Sequence, residues 1–510
     1  MAAEKRDLKQ SYLSGDSELL PFTKWPWPIE DYQAVIDARE AVAVPRQLLV
    51  AELAAQNAHL PNSKGTLLQI AKLGSARTFT VTTGHQVCLV GGPMFTLYKI
   101  ATTIALAQSL KERYPEYEFV PILWMATEDH DWEEVNHFYP SFAEKRTYSG
   151  KFKGPVGRHV LEPAIQDVLQ APVAPWVQAF YQPGRTMGEA FRGMMHHLFG
   201  AQGLVIVDAD RWSFKAAFSP IMAAELQMKG IAAPARATTE QLESLGFKPQ
   251  ILPRAINLFY VGDGDRSLID YVEGHYQLKG QEKRWTEAEI LAELAESPEH
   301  FSPNVALRPV YQETLLPNVA TVGGWAEVSY WLQLKAGFEH LGVPFPPLIP
   351  RMHATLVTKN QANELDQLGL PLSAMAEPLH MINDRYLQQH WDESPLVSAI
   401  ADVHAAYERL AELVATIDPT QATGVKAEQA KSANALESLP KKLKKALRNR
   451  NPQPYQQIAT LKNSIEPENA SQQRVLNFTA FDNVNPLTLV EVLIAQAKNA
   501  KSDAQWITLP

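Results

Sequence analysis

The chain nearly lacks cysteine: Cys88 is the single one among 510 residues. That excludes an intrachain disulfide and any zinc site built on cysteines, and it suits a reducing compartment. Long apolar runs are also missing. The longest candidates, such as Ile100 to Leu110, fall short of the roughly 18 residues that a membrane-spanning helix needs. The N-terminus, Met1-Ala2-Ala3-Glu4-Lys5-Arg6-Asp7, is charged and has no apolar centre, so no signal peptide is expected. Neither charge sign dominates. With 47 basic and 56 acidic residues the net charge is −9, which argues against a surface coated for nucleic acid. Hydrophobic residues at 45% and charged residues at 20% exclude a mostly disordered chain. The expectation is a cytoplasmic protein with neither membrane nor nucleic acid as partner. Proline is plentiful instead: 36 residues exceed the average usage of about 5%.

A prior of about 150 residues per domain suggests three domains, but the pattern along the chain suggests one interrupted α/β core carrying an arm. Residues 1–76 read as a helical lead-in, with one polar-faced helix over 31–60 ending near Pro61-Asn62. Residues 77–359 alternate strand and helix signals. Phe79 to Thr83, Phe119 to Met125 and Leu204 to Asp208 are apolar or β-branched runs. A helix is expected from Phe95 to Arg113, and another from Ala326 to Leu341, followed by a short buried strand before Arg351. Strands separated by helices point to βαβ units around a parallel, Rossmann-like sheet buried on both faces. Insertions are expected near 141–175 and 251–310, the second with a turn at Gly262-Asp263-Gly264-Asp265. Residues 360–465 read as an antiparallel helical coiled-coil arm, with helical spacing from Leu396 to Ile417 and a second stretch broken by Pro440. Residues 466–510 return to the core, with a closing helix over Leu487 to Ala497. Segment 421–450 holds eight Lys/Arg and two Glu, about +6, so the remainder carries about −15.

Three blocks carry chemistry. The first, Thr82 to Pro93, follows the first strand and contains Thr83, Gly84, His85, Gln86 and Gly92. Lys99 lies further along the following helix. Ligands of open α/β sheets bind at such strand ends, and a helix N-terminus offers N–H groups to an anion. A tight turn without a ligand is the plain alternative, and the block is neither a Walker A loop nor a GxGxxG fingerprint. The second block, Ala126 to His137, packs Glu128, Asp129, His130, Asp131, Glu133, Glu134 and His137 behind a strand. Helix capping explains acidic residues there. On a helix, however, His130 with Glu134 and Glu133 with His137 would share faces at i, i+4, fit for acid–base work or a divalent cation. No zinc motif is present, so no metal is expected. The third block runs from Arg308 through Gly323-Gly324 and Glu327 to Arg351, with Arg308, Glu327 and Arg351 either aimed into a cleft or joined in a structural salt-bridge network. Cys88 reads as a small buried residue rather than a nucleophile. The basic run Lys441-Lys442-Leu443-Lys444-Lys445 reads as a solvated helix face.

Taken together, Thr83-Gly84-His85-Gln86, Gly92-Pro93, Lys99 and Trp124 to Asp131 resemble the cysteine ligase family of bacillithiol biosynthesis. So do Arg308-Pro309, Gln312-Glu313, Leu316-Pro317, Gly323-Gly324, Glu327, Tyr330-Trp331, Pro346-Pro347 and Pro350-Arg351, with Leu461-Lys462-Asn463 and Gln473-Arg474-Val475 near the end. The chain departs from the family pattern at His85, often a second glutamine, and over Glu468 to Arg474, where a glycine pair is usual.

The resemblance implies a Rossmann-like core, a coiled coil that supports a homodimer, and addition of cysteine to glucosaminyl-malate. A carboxylate must be activated before an amine can attack it, and ATP is the candidate activator. On this reading the Gly84 loop and Lys99 hold an anionic group, His85 and Gln86 position substrate, and Thr83, Gly92, His137, Gly323 and Gly324 join them in binding substrate or nucleotide. His130, oriented by Asp129 or Asp131 and accompanied by Glu128, takes the amine proton, and Arg351 grips the malate. The alternatives are a nucleotide- or thiol-binding scaffold without catalysis and, more weakly, a metal-dependent hydrolase.

Overall fold

Five short apolar runs pair side by side in the computed structural model, which describes residues 5–510 except 151, 172, 263, 468, 469, 482 and 500–504. They are β1 (Thr78–Gln86), β2 (Glu118–Ala126), β3 (Val205–Asp208), β4 (Asn318–Gly323) and β5 (Leu348–Pro350). All pair in parallel, in the order β5-β4-β1-β2-β3. This is a doubly wound Rossmann order, in which the winding reverses between β1 and β4 and leaves a ligand crevice outside the carboxyl strand ends. β1 and β2 stay in register from Thr78 opposite Glu118 to Gln86 opposite Ala126. Their ends therefore arrive at the same level, and both chemistry-bearing loops start from one edge.

β4 is a strand that the sequence pattern does not announce. Its six residues, Asn-Val-Ala-Thr-Val-Gly, are all buried. A central strand covered on both faces has no alternation to mark it, and six residues are too few to outweigh the adjoining glycine pair. Helix α1 (Phe95–Arg113) has the expected bounds, and α2 (Met187–Phe199), α3 (Trp212–Leu226), α4 (Arg308–Leu315) and α5 (Trp325–His340) complete the cover. Before α1 the chain turns through Gly91 and Gly92, with φ of 78° and 70°. A Cβ on Gly92 would stand 2.7 Å from that of Cys88, so this turn needs glycine for space as well as for angle. Asn477 clamps it, its Nδ2 donating to the carbonyls of Val90 and Gly92 at 2.7 and 2.6 Å.

The single helix expected over 31–60 is two, Tyr32–Glu40 and Arg46–Asn57. Pro45 separates them, since its ring fixes φ and removes the N–H that would continue the first. The insertion near 251–310 forms an antiparallel sheet in the order 301–303, 258–262, 265–272, 275–278, 284–285. Gly262 pairs with Asp265 at its tight end and Gly264 has φ of 79°; residue 263 of the expected turn lies outside the described residues. A hairpin of strands His137–Ser141 and Glu144–Thr147 begins just ahead of the earlier insertion and runs into it.

The chain divides into a unit of residues 1–354 with 473–505 and a second of 355–472 with 506–510. The first contains the parallel sheet and the late helix, Pro486–Lys498. The second contains the arm: α6 (Ser394–Ile417), α7 (Ala422–Glu437) and α8 (Leu439–Arg450). The break before α8 falls at Ser438, where Pro440 cannot donate to the preceding turn. Lys444 and Arg448 pair with Glu393 and Asp384 at 2.9 and 2.5 Å, tying α8 back to the start of the arm. Among the described residues, no helix is long and apolar enough to cross a membrane.

Candidate active site

A cavity of about 630 Å³ opens at the carboxyl ends of β1 and β2. One wall comes from the sheet: Gly84, His85 and Gln86 at the end of β1, Ala126 at the end of β2, and Glu128, Asp129 and His130 just after it. The opposite wall comes from the antiparallel insertion, through Arg254, Phe259, Arg266 and Asn304. Phe95 and Lys99 of α1, Arg308 of α4, and Glu327 and Tyr330 of α5 close the end between them.

Gly84 matters sterically. A Cβ there would stand 3.1 Å from Arg308 Nη1, so the bare backbone lets the guanidinium lie over the strand end. Arg308 donates to Tyr330 Oη at 3.1 Å and makes no ion pair among the described residues. Lys99 is different. Its buried Nζ meets Glu327 Oε2 at 2.5 Å and donates to the Gly84 carbonyl at 3.1 Å. Burial lowers its pKa and Glu327 works against that. Lys99 thus spends its charge on fixing Glu327 and Gly84. His85 is buried, with Nε2 within 2.6 Å of Thr96 Oγ1. Burial, then Lys99 and Arg351, hold its pKa well below the usual imidazole value, so it is neutral. Gln86 Nε2 donates to Asp129 Oδ2 and Glu134 Oε2, both at 2.8 Å, which locks the first loop to the second.

His130 is held by a residue from the far wall. Arg266 Nη1 donates to His130 Nδ1 at 2.8 Å, whereas Asp129 Oδ1 lies 3.8 Å from that nitrogen and instead accepts from the His130 backbone N–H at 2.8 Å. An arginine can only donate, so Nδ1 must accept and the ring proton sits on Nε2. Burial and Arg266 hold the His130 pKa below its usual value, against Asp129, Asp131 and Asp265. Arg266 is itself fixed, with Nε on Ser302 Oγ and Nη2 on the Pro303 carbonyl, both at 3.1 Å, and its guanidinium carbon 3.9 Å over the Phe259 ring. It too makes no ion pair among the described residues. One step along the same edge strand, the Phe301 carbonyl accepts from buried Lys215 Nζ at 2.5 Å, and Lys215 pairs with Glu128. Burial raises the Glu128 pKa while Lys215 pulls it down.

Against known proteins, the family profile for the N-terminal Rossmann-like domain of bacillithiol biosynthesis BshC matches residues 1–352. The profile for the BshC C-terminal coiled-coil domain matches residues 354–509. The chain belongs to the BshC family of bacillithiol biosynthesis. It is 33% identical to BshC of Cytophaga hutchinsonii over 94% of this chain and 92% of that protein, and 34% identical to BshC of Flavobacterium johnsoniae over 98% and 97%. BshC of Geobacillus thermodenitrificans is 31% identical over 85% of each chain. All three are named as candidate cysteine ligases, which gives this BshC chain a ligase role in bacillithiol biosynthesis. Among solved structures, Mycobacterium tuberculosis methionyl-tRNA synthetase aligns at a TM-score of 0.24 and 9% identity over 82% of this chain and 91% of that one.

The BshC geometry brings Gly84, His85, Gln86, Lys99, Glu128, Asp129 and His130 together. Gly323 lines a void of about 10 Å³ beside the cavity, and Gly324 caps α5, its N–H donating to Glu327 Oε2 at 2.9 Å. Thr83, Gly92, Asp131, His137 and Arg351 lie outside the cavity lining. Thr83 Oγ1 is turned into the sheet, onto the Val322 carbonyl at 2.8 Å. The shared helix faces expected in the second block do not form. The helix covers only Trp132–Val135, and His137 already starts a strand. Among the described residues no group of three or more His, Cys, Asp or Glu side chains is placed to hold a metal ion. Cys88 is buried, with its thiol pushed up to about 12 by desolvation, and its Sγ is 3.8 Å from His85 Nε2. Arg254, Arg266, Asn304 and Lys215 do not stand out in the sequence. The one signal there is Arg266 in phase with Leu268, both on the buried side of one strand.

Proposed function

We propose that this chain joins the cysteine carboxyl to the amine of glucosaminyl-malate in the cavity at the β1 and β2 ends, forming an amide carbon–nitrogen bond and giving bacillithiol. The supporting observation is that two arginines, Arg266 and Arg308, line one cavity without an ion pair among the described residues. A guanidinium without a carboxylate, buried at Arg266 and half-buried at Arg308, suits an anionic substrate group, and the bare Gly84 backbone lets that group approach. ATP fits as co-substrate on the same ground; when bound it would make the carboxylate oxygen a leaving group, as an adenylate or an acyl phosphate. His130 then serves as a donor: Nε2–H points a hydrogen bond at oxygen charge that develops as the amine adds. Asp129, held by Gln86 Nε2 and the His130 N–H, offers a carboxylate for the substrate ammonium and its proton. Lys99, Glu327 and Lys215 keep these groups in place.

The same reading sets the protein in the cytoplasm as a homodimer joined through the arm, where Val397, Leu413 and Ile417 of α6 are 57%, 61% and 80% exposed. Sedimentation of a Leu413→Glu variant tests the dimer, with a monomer expected. The reaction is tested by mixing the protein with cysteine, ATP and glucosaminyl-malate and following product by mass spectrometry. Bacillithiol with AMP or ADP is the expected outcome. Nucleotide and cysteine binding without product would favour the scaffold reading instead.

A further inference from the structure

Next to Phe95, outside the cavity lining, four buried hydrogen-bond donors have no partner: Arg351 Nε, Tyr98 Oη, Trp325 Nε1 and His353 Nε2. They belong to one neighbourhood. The Arg351 guanidinium carbon is 5.4 Å from the Phe95 ring, and Arg351 and Tyr98 lie close enough to influence each other's ionisation. The Trp325 and His353 rings are parallel to within 8° at 6.3 Å. Arg351 Nε is 3.6 Å from where a Cβ on Gly324 would stand, at the N-cap of the 16-residue helix α5. Gln473 completes the frame, its Oε1 accepting from Arg351 Nη1 at 2.6 Å and its Nε2 lying 3.3 Å from His353 Nδ1. An amide nitrogen donates, so His353 Nδ1 accepts and Nε2 carries the hydrogen.

The mismatch leans one way: all four groups can donate, all are desolvated, and three of them, Arg351 Nε, Trp325 Nε1 and His353 Nε2–H, can only donate. Natural interiors leave only a few buried polar groups per hundred residues unmatched, and here four donors gather in one place. The charges lean the same way. Arg351 is 4% exposed and makes no ion pair among the described residues. Lys9 and Arg474 add positive potential at His353. The nearby carboxylate, Glu327, is already engaged by Lys99 and by the Gly324 N–H. The first turn of α5 adds N–H groups without intrahelical partners and the positive end of the helix dipole.

We propose that Arg351, Tyr98, Trp325 and His353, at the start of α5, seat one compact anion, a carboxylate or phosphate group. The four donors lie outside the cavity lining, beside Phe95 and Glu327 that belong to it, and the proposal does not depend on the reaction assigned to the cavity. It gives the Gln473-Arg474 motif a role, in which Gln473 orients both Arg351 and His353, and Arg474 adds charge.

The test needs no turnover. Inorganic phosphate and malate are titrated calorimetrically into the full chain carrying Arg308→Gln, which weakens anion binding in the cavity. Saturable binding of at least one anion is expected. Adding Arg351→Gln should weaken it at least about tenfold, and Trp325→Phe, which keeps an aromatic ring of smaller size and removes the N–H, about threefold. Circular dichroism checks folding; if Arg351→Gln does not fold, Trp325→Phe and His353→Phe decide. The tighter of the two anions identifies the group. Absence of saturable binding by both, or equal binding with and without the Trp325 and His353 donors, overturns the proposal.

Discussion

The two walls of the cavity are built by different means. The sheet wall rests on backbone: β1 and β2 end in register, and their loops turn at once into the cavity. The insertion wall rests on side chains, above all Arg266, delivered by one short hairpin and fixed by the edge strand Phe301–Pro303. The sheet wall carries His130 and Glu128, yet in each case the partner comes from outside that wall, Arg266 for one and buried Lys215 for the other. The inserted sheet therefore lines the cavity with a side chain that fixes His130. The parallel sheet places Glu128 and His130, the insertion holds the His130 tautomer through Arg266, and α3 holds Glu128 through Lys215.

The largest effect should come from breaking the link between the walls. Arg266→Gln removes the guanidinium from His130 Nδ1 and frees the ring to adopt either tautomer. Turnover should fall about 10²-fold or more, the scale seen when a positioned donor is lost from a site. The pH profile gives the sign. On the proposed reading His130 works neutral, and its pKa is held below the usual imidazole value by burial and by Arg266. In the folded wild type the acid limb therefore lies below about 6.5. Without Arg266 burial still lowers the His130 pKa, but the second lowering influence is gone while the carboxylates remain, so the pKa rises and the acid limb should move to higher pH. A loss of rate with an unmoved acid limb would show that Arg266 contributes charge alone and that the walls act independently.

A smaller effect is expected within the sheet wall. Gly84→Ala places a methyl 3.1 Å from Arg308 Nη1, so the guanidinium must shift by a few tenths of an ångström. Arg308 has solvent on one side and can move, so KM for the anionic substrate should rise, on the order of fivefold, with kcat changed less. Titration of substrate into the variant, alongside steady-state rates, separates the two. An unchanged KM would mean that Arg308 does not touch substrate from where it lies.

Legibility in the sequence follows the same division. The expected bounds of α1 match the structure, and β1, β2 and β3 lie on the apolar runs noted, because each run is continuously apolar or β-branched. The Gly84 and His130 blocks draw attention because unusual residues crowd directly behind strands. Two things stay hidden. β4 is short, buried on both faces and uncharged, so no period marks it. Arg266 lies 136 residues from His130, inside a hairpin with nothing unusual in its composition. Local spacing also misleads in one place: the i, i+4 pairs of the second block assume a helix that stops at Val135. Its continuation is taken by the hairpin strand, where Asn136 and Tyr148 already share a backbone hydrogen bond at 2.8 Å.

The smallest effect is expected at Cys88, the single cysteine. It sits between the Gly84 block and the turn at Gly91 and Gly92, near His85, and position alone would suggest a nucleophile. The surroundings argue otherwise. Desolvation pushes its thiol up to about 12, Lys99 only partly offsets that, and Asp129 and Glu134 raise it further. A thiol held protonated at neutral pH is a poor nucleophile. Its Sγ also stands 3.8 Å from His85 Nε2, which is already engaged by Thr96. Cys88→Ala should leave kcat/KM within about twofold of wild type and cost about 1 kcal/mol of stability, the scale of one buried heavy atom lost from a packed turn. Iodoacetamide should label the folded wild type slowly and the urea-unfolded chain quickly. Rapid labelling of the folded protein, together with lost activity in Cys88→Ala, would place the thiol in the site and redraw the sheet wall as a source of covalent chemistry rather than of placement.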